Sequence, residues 1–307
     1  MVPCESESAQ VQHSPPSTSE GPPMLRSRLP LALLILSACA APDGASDTSA
    51  STETTSGVAL ARTGPGEMPP AIVGSGGALQ GVDLNYVDGD AATTGYLAVP
   101  QGDGPFPALV IIHEWNGLVD RVRQLADDFA AEGYVTLAAD LYGGQVGSSS
   151  DENIALMNAA TADMGTVVSN LNAAVAYLRA RSDVTGRVGA MGWCFGGGIA
   201  LSFGLDGEDH EATAIFYGRL IEDPEVLARM DHEVYGTFAS LDQGISTEQV
   251  EGFEAALRAA GVENDIHIYD EVDHGFWLRV DQDVEARSEA GLDAWERLKA
   301  YLERTLG

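Results

Sequence analysis

The alternation of apolar segments after residue 82 is the feature that most constrains how this chain can fold. Short, strand-like apolar runs, such as residues 106–114 and 134–142, alternate with longer segments, such as residues 117–133, in which apolar residues recur at helical spacing. The continuous apolar run at 106–114 indicates a central strand that is buried on both faces. Strands that alternate with helices in this way pair mostly in parallel. The pattern therefore predicts an α/β domain with a mostly parallel central sheet and helices on both faces.

Local signals refine this prediction at three places. Residues 82–87 and 94–100 are strand-like and are separated by Asp88-Gly89-Asp90, which predicts an antiparallel hairpin at the start of the sheet. Residues 151–182 predict one long helix or two short ones. Ser246 followed by Gln249 predicts a helix start closed by a capping box.

The first 66 residues do not have the composition of a folded core. Residues 1–23 are polar and rich in Pro and Ser, which predicts a disordered extension or a misassigned start. Residues 24–39 have two arginines, a short apolar run and small residues that end at Cys39, the layout of a secretory signal too short for a stable span. Residues 40–66 form a tether rich in Ser, Thr and Gly, and residues 67–307 form the predicted domain.

The end of the signal segment resembles the lipobox of bacterial lipoproteins. Its last four residues are Leu-Ser-Ala-Cys, and the resemblance implies that Cys39 is acylated and becomes the mature N-terminus. Ala40 resembles the pattern that directs such proteins to the outer membrane. We therefore expect an exported domain at the periplasmic face of a bacterial outer membrane, in contact with the membrane only through lipid. An ordinary signal peptide with an incidental cysteine is the alternative.

Charge and cysteine usage exclude several classes of partner. The formal net charge is −30, from 46 acidic and 16 basic residues, so contact with nucleic acid would meet phosphate repulsion. Cys194 is the only cysteine in the predicted domain, and the Cys/His spacings of zinc sites are absent. We expect a small-molecule substrate, no cofactor and no metal. The oligomeric state, monomer or oligomer, stays open.

Gly192-Trp193-Cys194-Phe195-Gly196 matches the nucleophile-elbow pattern G-x-S-x-G, with cysteine in place of serine. A strand is predicted before it and a helix after it. The flanking glycines are required because a sharp strand-to-helix turn brings neighbouring backbone close. Backbone N–H groups at a helix start favour negative charge, and therefore the thiolate form of a cysteine. The alternative is a buried cysteine in a glycine-rich turn.

Two further residues complete the set of nucleophile, acid and histidine that accompanies an elbow of this pattern. Asp242 ends the apolar strand at 234–242, and His274 follows the strand at 265–271, so the chain order is nucleophile, acid, histidine. Both lie at predicted carboxyl ends of strands, where open α/β sheets bind ligands. His113 also ends a strand, next to Glu114, and is more ambiguous: besides a role as base, it could fix the adjacent loop by hydrogen bonding.

Four motifs in this order, "HEWNG", "GWCFGG", "SLDQG" and "DHGF", resemble the dienelactone hydrolase family of α/β-hydrolases, and the resemblance extends from about Val82 to the C-terminus. The family's activity implies a hydrolase that cleaves carboxylic esters or lactones through a cysteine acyl-enzyme. The resemblance implies these roles: Cys194 as nucleophile, His274 as base, Asp242 as its orienting acid, Glu114 as the partner of the resting thiol, and the backbone N–H groups of Trp115 and Phe195 as the oxyanion hole.

The sequence departs from the family pattern where the substrate carboxylate would bind. Members that act on dienelactone use two arginines; here the first position falls on Asn153, and the second on Leu278, with Arg279 one residue late. Arg279 is therefore a candidate substrate contact. Asparagine cannot provide the bidentate, charged recognition of arginine, so we expect less charged esters or lactones as substrates.

Two other interpretations remain open at this point. The chain could be an exported, non-catalytic binding module with an α/β-hydrolase-like fold, although a complete Cys194, Asp242 and His274 set argues against it. It could also be a redox-sensing thiol protein, which the absence of a resolving cysteine in the domain disfavours.

Overall fold

The computed structural model describes residues 60–208 and 210–307. Within them, eight strands form one sheet that is flanked by helices. The strands are β1 (Val82–Leu84), β2 (Gly95–Ala98), β3 (Phe106–Ile112), β4 (Val135–Ala139), β5 (Val184–Trp193), β6 (Ala212–Phe216), β7 (Val234–Ala239) and β8 (Asn264–Tyr269). The helices are α1 (Asp120–Ala131), α2 (Ser150–Thr161), α3 (Met164–Arg179), α4 (Phe195–Asp206), α5 (Pro224–Leu227), α6 (Thr247–Ala260) and α7 (Val284–Leu306), with a 3₁₀ helix at Trp277–Gln282.

The strand order explains where a site can form. The order across the sheet is β1-β2-β4-β3-β5-β6-β7-β8. Strand β2 is antiparallel to both β1 and β4, and all other neighbours are parallel. The chain proceeds from β3 to β4 on one side and then returns to β5 on the other side of β3. A crevice opens at such a reversal, outside the carboxyl ends of β3 and β5.

The two faces of the sheet are buried against different helices. Leu109 and Ile111 of β3 belong to a core cluster that includes residues of α1 and α7. Ala108, Val110 and Ile112 of the same strand belong to a second cluster that includes residues of α3. All five side chains are fully buried, as the continuous apolar run predicted. The predicted α/β fold, with a mostly parallel sheet and helices on both faces, is confirmed.

Most local predictions are also confirmed. Strands β1 and β2 form the expected antiparallel hairpin, although it is shorter than predicted, with Val82 opposite Leu97. The segment at 151–182 contains two helices, because Asp163 caps the second one by accepting a hydrogen bond from Gly165 N–H at 3.0 Å. Ser246 and Gln249 form the capping box of α6. The sequence interpretation missed α5 and the 3₁₀ helix.

The predicted boundary at residue 67 lies within a segment that packs against α1. Residues 60–81, here called the N-terminal arm, lie against α1, where three carboxylates are nearly inaccessible to solvent. Arm residues satisfy these carboxylates with hydrogen-bond donors, most of them backbone N–H groups, a feature that leaves no residue-type signature in a sequence. The contacts are Thr63 N–H and Oγ1 with Glu132, Ala71 N–H with Asp128, and Gln80 and Gly81 N–H with Asp127.

The predicted extension, signal segment and lipidation residue Cys39 lie outside the described residues, as does most of the predicted tether. In the part of the chain that the structure does describe, no helix has the length and apolar character needed to cross a membrane.

Candidate active site

Cys194 lies on a strained corner between β5 and α4. Its backbone φ of 55° and ψ of −115° are unfavourable for a residue with a side chain, at a cost of about 1–3 kcal/mol. The corner is held by a hydrogen bond from Cys194 N–H to Phe216 O at 3.0 Å. A Cβ on Gly192 would lie 2.3 Å from Gly196 O, and one on Gly196 would lie 2.3 Å from Ile112 O. The two flanking glycines are therefore required by backbone contacts, as the elbow pattern predicted.

Asp242 and His274 meet as the chain order predicted. His274 Nδ1 and Asp242 Oδ2 are 2.6 Å apart. The other carboxylate oxygen, Oδ1, accepts hydrogen bonds from the N–H groups of Gly244 and Ile245 at 2.7 and 3.2 Å. Burial alone would raise the pKa of Asp242, but the hydrogen bonds from His274 and these backbone groups outweigh burial and lower it. Asp242 is thus a fixed, ionised partner for the imidazole.

The environment of His274 favours its protonated form. Burial would lower the pKa of the imidazole, but hydrogen bonds with Asp242 and with the Cys194 side chain, together with the negative charges of both, raise this pKa to about 10. Since Nδ1 faces Asp242, Nε2 is the nitrogen available to the thiol. The Tyr217 ring packs edge-on against the imidazole with ring centroids 5.0 Å apart. A proton can thus pass between the Cys194 sulfur and the His274 imidazole, while Asp242 holds the imidazole in place.

Glu114 pairs with Arg279 in this structure. Arg279 Nη2 donates to both Glu114 oxygens, at 2.9 and 3.0 Å. Burial raises the pKa of Glu114, and the Arg279 guanidinium partly offsets this rise. Glu114 has therefore taken a partner other than the thiol, and its role as the resting partner of Cys194 stays a prediction. The ion pair also occupies the guanidinium that was expected to contact substrate.

The two positions that correspond to the carboxylate-binding arginines do not present a charge. Asn153 is buried in α2, and its amide nitrogen, in the orientation that satisfies its surroundings, faces Gly147 O and Ser149 O at 3.2 and 3.3 Å. Leu278 is 1% exposed and belongs to the core. Asn153 therefore binds its own loop, and Leu278 supports the 3₁₀ helix.

Two backbone N–H groups lie at the carboxyl ends of β3 and β5, on either side of the crevice. Phe195 is the first residue of α4, so its own helix offers no acceptor for its N–H. Trp115 lies inside the turn closed by Gly117 N–H and Glu114 O at 3.2 Å. The turn is fixed by His113, whose Nε2 accepts from Leu141 N–H and whose Nδ1 therefore donates to Glu114 O at 2.6 Å. Of the two roles that the sequence left open for His113, its hydrogen bonds match the fixing of the adjacent loop.

Sequence reasoning missed two tyrosines of the site. Tyr217 follows β6 directly, and Tyr142 lies in the loop after β4, where its hydroxyl donates to Trp115 O at 3.1 Å. Their position after strands was the available signal, because it is shared with the predicted site residues. Two other histidines, His210 and His232, lie away from the site: both form hydrogen bonds with Thr213 Oγ1, near the opposite end of β6. Across residues 60–208 and 210–307, no three His, Cys, Asp or Glu side chains are grouped so as to hold a metal ion.

A mostly parallel α/β sheet with a strained strand-to-helix elbow and a histidine–aspartate pair at its strand ends is the arrangement of an α/β-hydrolase. Comparison with protein families makes this more specific. The model of the dienelactone hydrolase family matches residues 93–306, and the chain belongs to this family. The chain is accordingly a hydrolase of the ester or lactone type.

Relatives and solved structures agree with this assignment. Two relatives are named carboxymethylenebutenolidase: one from Methylorubrum extorquens is 30% identical over 69% of this chain and 77% of its own length, and one from Synechocystis is 30% identical over 69% and 92%. A dienelactone hydrolase structure from Klebsiella pneumoniae has a TM-score of 0.60 at 24% identity, covering 69% of this chain and 93% of that one. A dienelactone hydrolase-like promiscuous phosphotriesterase from metagenomic libraries has a TM-score of 0.66 at 23% identity, covering 75% and 100%. At these identities the two structures show the shared fold.

Proposed function

We propose that the chain hydrolyses carboxylic esters or lactones through an acyl-enzyme formed on Cys194, with His274 as base and Asp242 as its orienting acid. The observation that carries the proposal is the pairing of a cysteine at φ 55° on a strand-to-helix corner with an imidazole bound to a buried aspartate at 2.6 Å. Strain of this kind is typical of functional positions.

The geometry supports a two-stage reaction. His274 Nε2 holds the proton taken from the thiol, and the sulfur attacks the carbonyl carbon to form a tetrahedral intermediate. The N–H groups of Trp115 and Phe195 stabilise its negative oxygen, which is usually the largest contribution to such catalysis. The imidazolium returns the proton to the leaving alcohol oxygen, and a thioester remains on Cys194. Water then attacks this thioester with His274 as base, which releases the acid and restores the thiol.

We infer that the preferred substrates carry no carboxylate near the reacting carbonyl. Arg279 is already neutralised by Glu114, and Asn153 and Leu278 offer no charge. An anionic substrate would have to compete with Glu114 for the guanidinium and approach a chain of net charge −30. The test compares kcat/KM on dienelactone with kcat/KM on neutral aryl esters, and a clear preference for dienelactone contradicts the inference.

Replacement of Cys194 tests the function itself. Cys194→Ala is expected to abolish hydrolysis of a chromogenic acetate ester and to leave the unfolding temperature close to that of the unchanged protein. Labelling by iodoacetamide separates the alternatives: protection by an ester together with turnover supports the enzyme, whereas labelling without turnover supports a binding module or a redox thiol. Activity retained by Cys194→Ala would overturn the assignment.

We propose further that residues 24–39 direct export and that Cys39 is acylated, so that the domain lies at the periplasmic face, anchored by lipid to the outer membrane. The apolar run, the preceding arginines and the Leu-Ser-Ala-Cys end support this proposal. Mass spectrometry of the mature N-terminus tests it: a diacylglyceryl group on Cys39 is expected, and an unmodified residue after cleavage elsewhere contradicts it.

A further inference from the structure

The loop after β4 places one buried side chain between the two turns that provide the proposed oxyanion donors. The Tyr142 hydroxyl donates to Trp115 O at 3.1 Å, and the Tyr142 ring lies 5.9 Å from the Phe195 ring, centroid to centroid. Tyr142 is only 5% exposed. It therefore contacts the residue that holds the first N–H group and the residue that holds the second.

Other contacts between these loops are made by backbone groups or through a ring. Leu141 N–H donates to His113 Nε2 at 3.2 Å, and Gly147 N–H donates to Asn116 O at 3.1 Å. The His113 ring packs edge-on against Tyr142, with centroids 4.6 Å apart. These contacts anchor both sides of the turn, while the phenol hydroxyl is the contact at Trp115 itself.

We propose that Tyr142 is a positioning residue that fixes the Trp115 N–H group relative to the Phe195 N–H group, so that both point at one oxygen. The inference rests on the proposed function, because it assigns these two groups to the oxyanion hole. A fixed carbonyl restrains the backbone torsions of its own residue and thereby the direction of that residue's N–H. Donors of this kind work because they are held in place before charge develops, and small displacements have large effects on rate.

The protonation state of Tyr142 agrees with this role. Burial, together with the negative charge of Cys194, raises the pKa of the phenol, so the hydroxyl stays protonated and remains a donor when the thiolate forms. The contact to Trp115 O is thus maintained throughout the reaction.

The test is Tyr142→Phe, which keeps the ring against Phe195 and His113 and removes the hydroxyl. We expect kcat and kcat/KM on a neutral aryl acetate to fall roughly tenfold with little change in KM. The Cys194 sulfur adds to the carbonyl carbon of an aryl trifluoromethyl ketone and leaves the negative charge on the former carbonyl oxygen, so binding of this ketone is expected to weaken by a similar factor. Alkylation of Cys194 by iodoacetamide creates no oxyanion, so its rate is expected to stay the same.

Tyr235→Phe is the matched control, because it also removes a buried hydroxyl that donates to a backbone carbonyl, Ala294 O at 3.0 Å, at the far end of β7. It is expected to retain the rate of the unchanged protein. If Tyr142→Phe does not fold, Phe195→Leu removes the ring contact from the other side and is expected to show the same selective loss.

Three outcomes overturn the inference: unchanged turnover and ketone binding in Tyr142→Phe, an equal loss in Tyr235→Phe, or a fall in alkylation rate that parallels the fall in turnover. Absence of ester turnover in the unchanged protein contradicts the proposed function instead. In that case the comparison of ketone binding still decides whether Tyr142 positions the two N–H groups.

Discussion

Asp128→Asn is expected to stabilise this protein at neutral pH and to leave its stability in acid unchanged. The Asp128 carboxyl is 4% exposed and accepts one hydrogen bond, from Ala71 N–H of the N-terminal arm at 2.8 Å. Burial raises its pKa to about 7, and the charges of Asp127 and Glu132 contribute to the rise. An amide has nearly the same shape and still offers an oxygen to Ala71 N–H.

The magnitude follows from proton linkage. A shift from 3.8 to about 7 is roughly three units, and each unit corresponds to about 1.36 kcal/mol, so the charged carboxylate costs about 4 kcal/mol above pH 7. The folded state binds the extra proton between about pH 4 and pH 7, so this contribution to stability is fully present below pH 4 and is lost as the pH rises to 7. For a domain of this size, about 4 kcal/mol corresponds to a rise in Tm on the order of 10 °C.

Urea unfolding, followed by tryptophan fluorescence between pH 4.5 and pH 8, measures this difference. Trp295 reports on the arm directly, because its Nε1 donates to Thr63 Oγ1 at 3.1 Å. Asp127→Asn is the contrasting control: the Asp127 oxygens accept from Tyr96 and two arm N–H groups, and an amide nitrogen cannot accept, so this variant is expected to lose stability. Exposed Asp120→Asn should change little. A difference between Asp128→Asn and the unchanged protein that is independent of pH would refute the reasoning.

Three further predictions concern the site and the core. Gly196→Ala is expected to destabilise the fold by about 1–3 kcal/mol or more, since its Cβ would lie 2.3 Å from Ile112 O, whereas Gly77→Ala, in open space, should change the Tm little. Asp242→Asn should lower kcat by about 10³–10⁴-fold and lower the pKa of His274 from its value of about 10, as measured by ¹H NMR titration; an unchanged titration would contradict the assignment of the ion pair. Burial lowers the pKa of His210 to about 4, so its imidazole should stay neutral in NMR spectra down to about that pH, and its contribution to stability should be lost as the pH falls from 6.5 to 4; titration near 6.5 would show that the ring is solvated.

The features that were predicted from the sequence are those set by residue type and order. The glycines of the elbow are required by backbone contacts, and the elbow, Asp242 and His274 all follow parallel strands, whose carboxyl ends meet at one edge. Chain order and strand position were therefore sufficient to bring the elbow, the acid and the histidine together.

The missing features depend on long-range backbone geometry. The Glu114–Arg279 pair forms where the backbone leaves the helical conformation at Arg279, with φ −134° and ψ 43°, and a kink of this kind is not encoded in an apolar pattern. The arm is held mostly by backbone N–H groups, which every residue other than proline provides. Tyr142 was missed because its contact is to a carbonyl of another loop, and no motif marks such a pairing.

The contact of Gly196 with Ile112 O and His113 O has a consequence for how this enzyme class can diversify. Backbone atoms of the corner that holds Cys194 lie directly against backbone atoms at the end of β3, so the spacing between the corner and the end of that strand does not depend on a side chain. Side chains in the surrounding loops can therefore change in size and charge, as at Asn153 and Leu278, without moving the corner relative to the end of β3. Side chains that select the substrate and the backbone spacing that places the corner can for this reason change separately in the same fold.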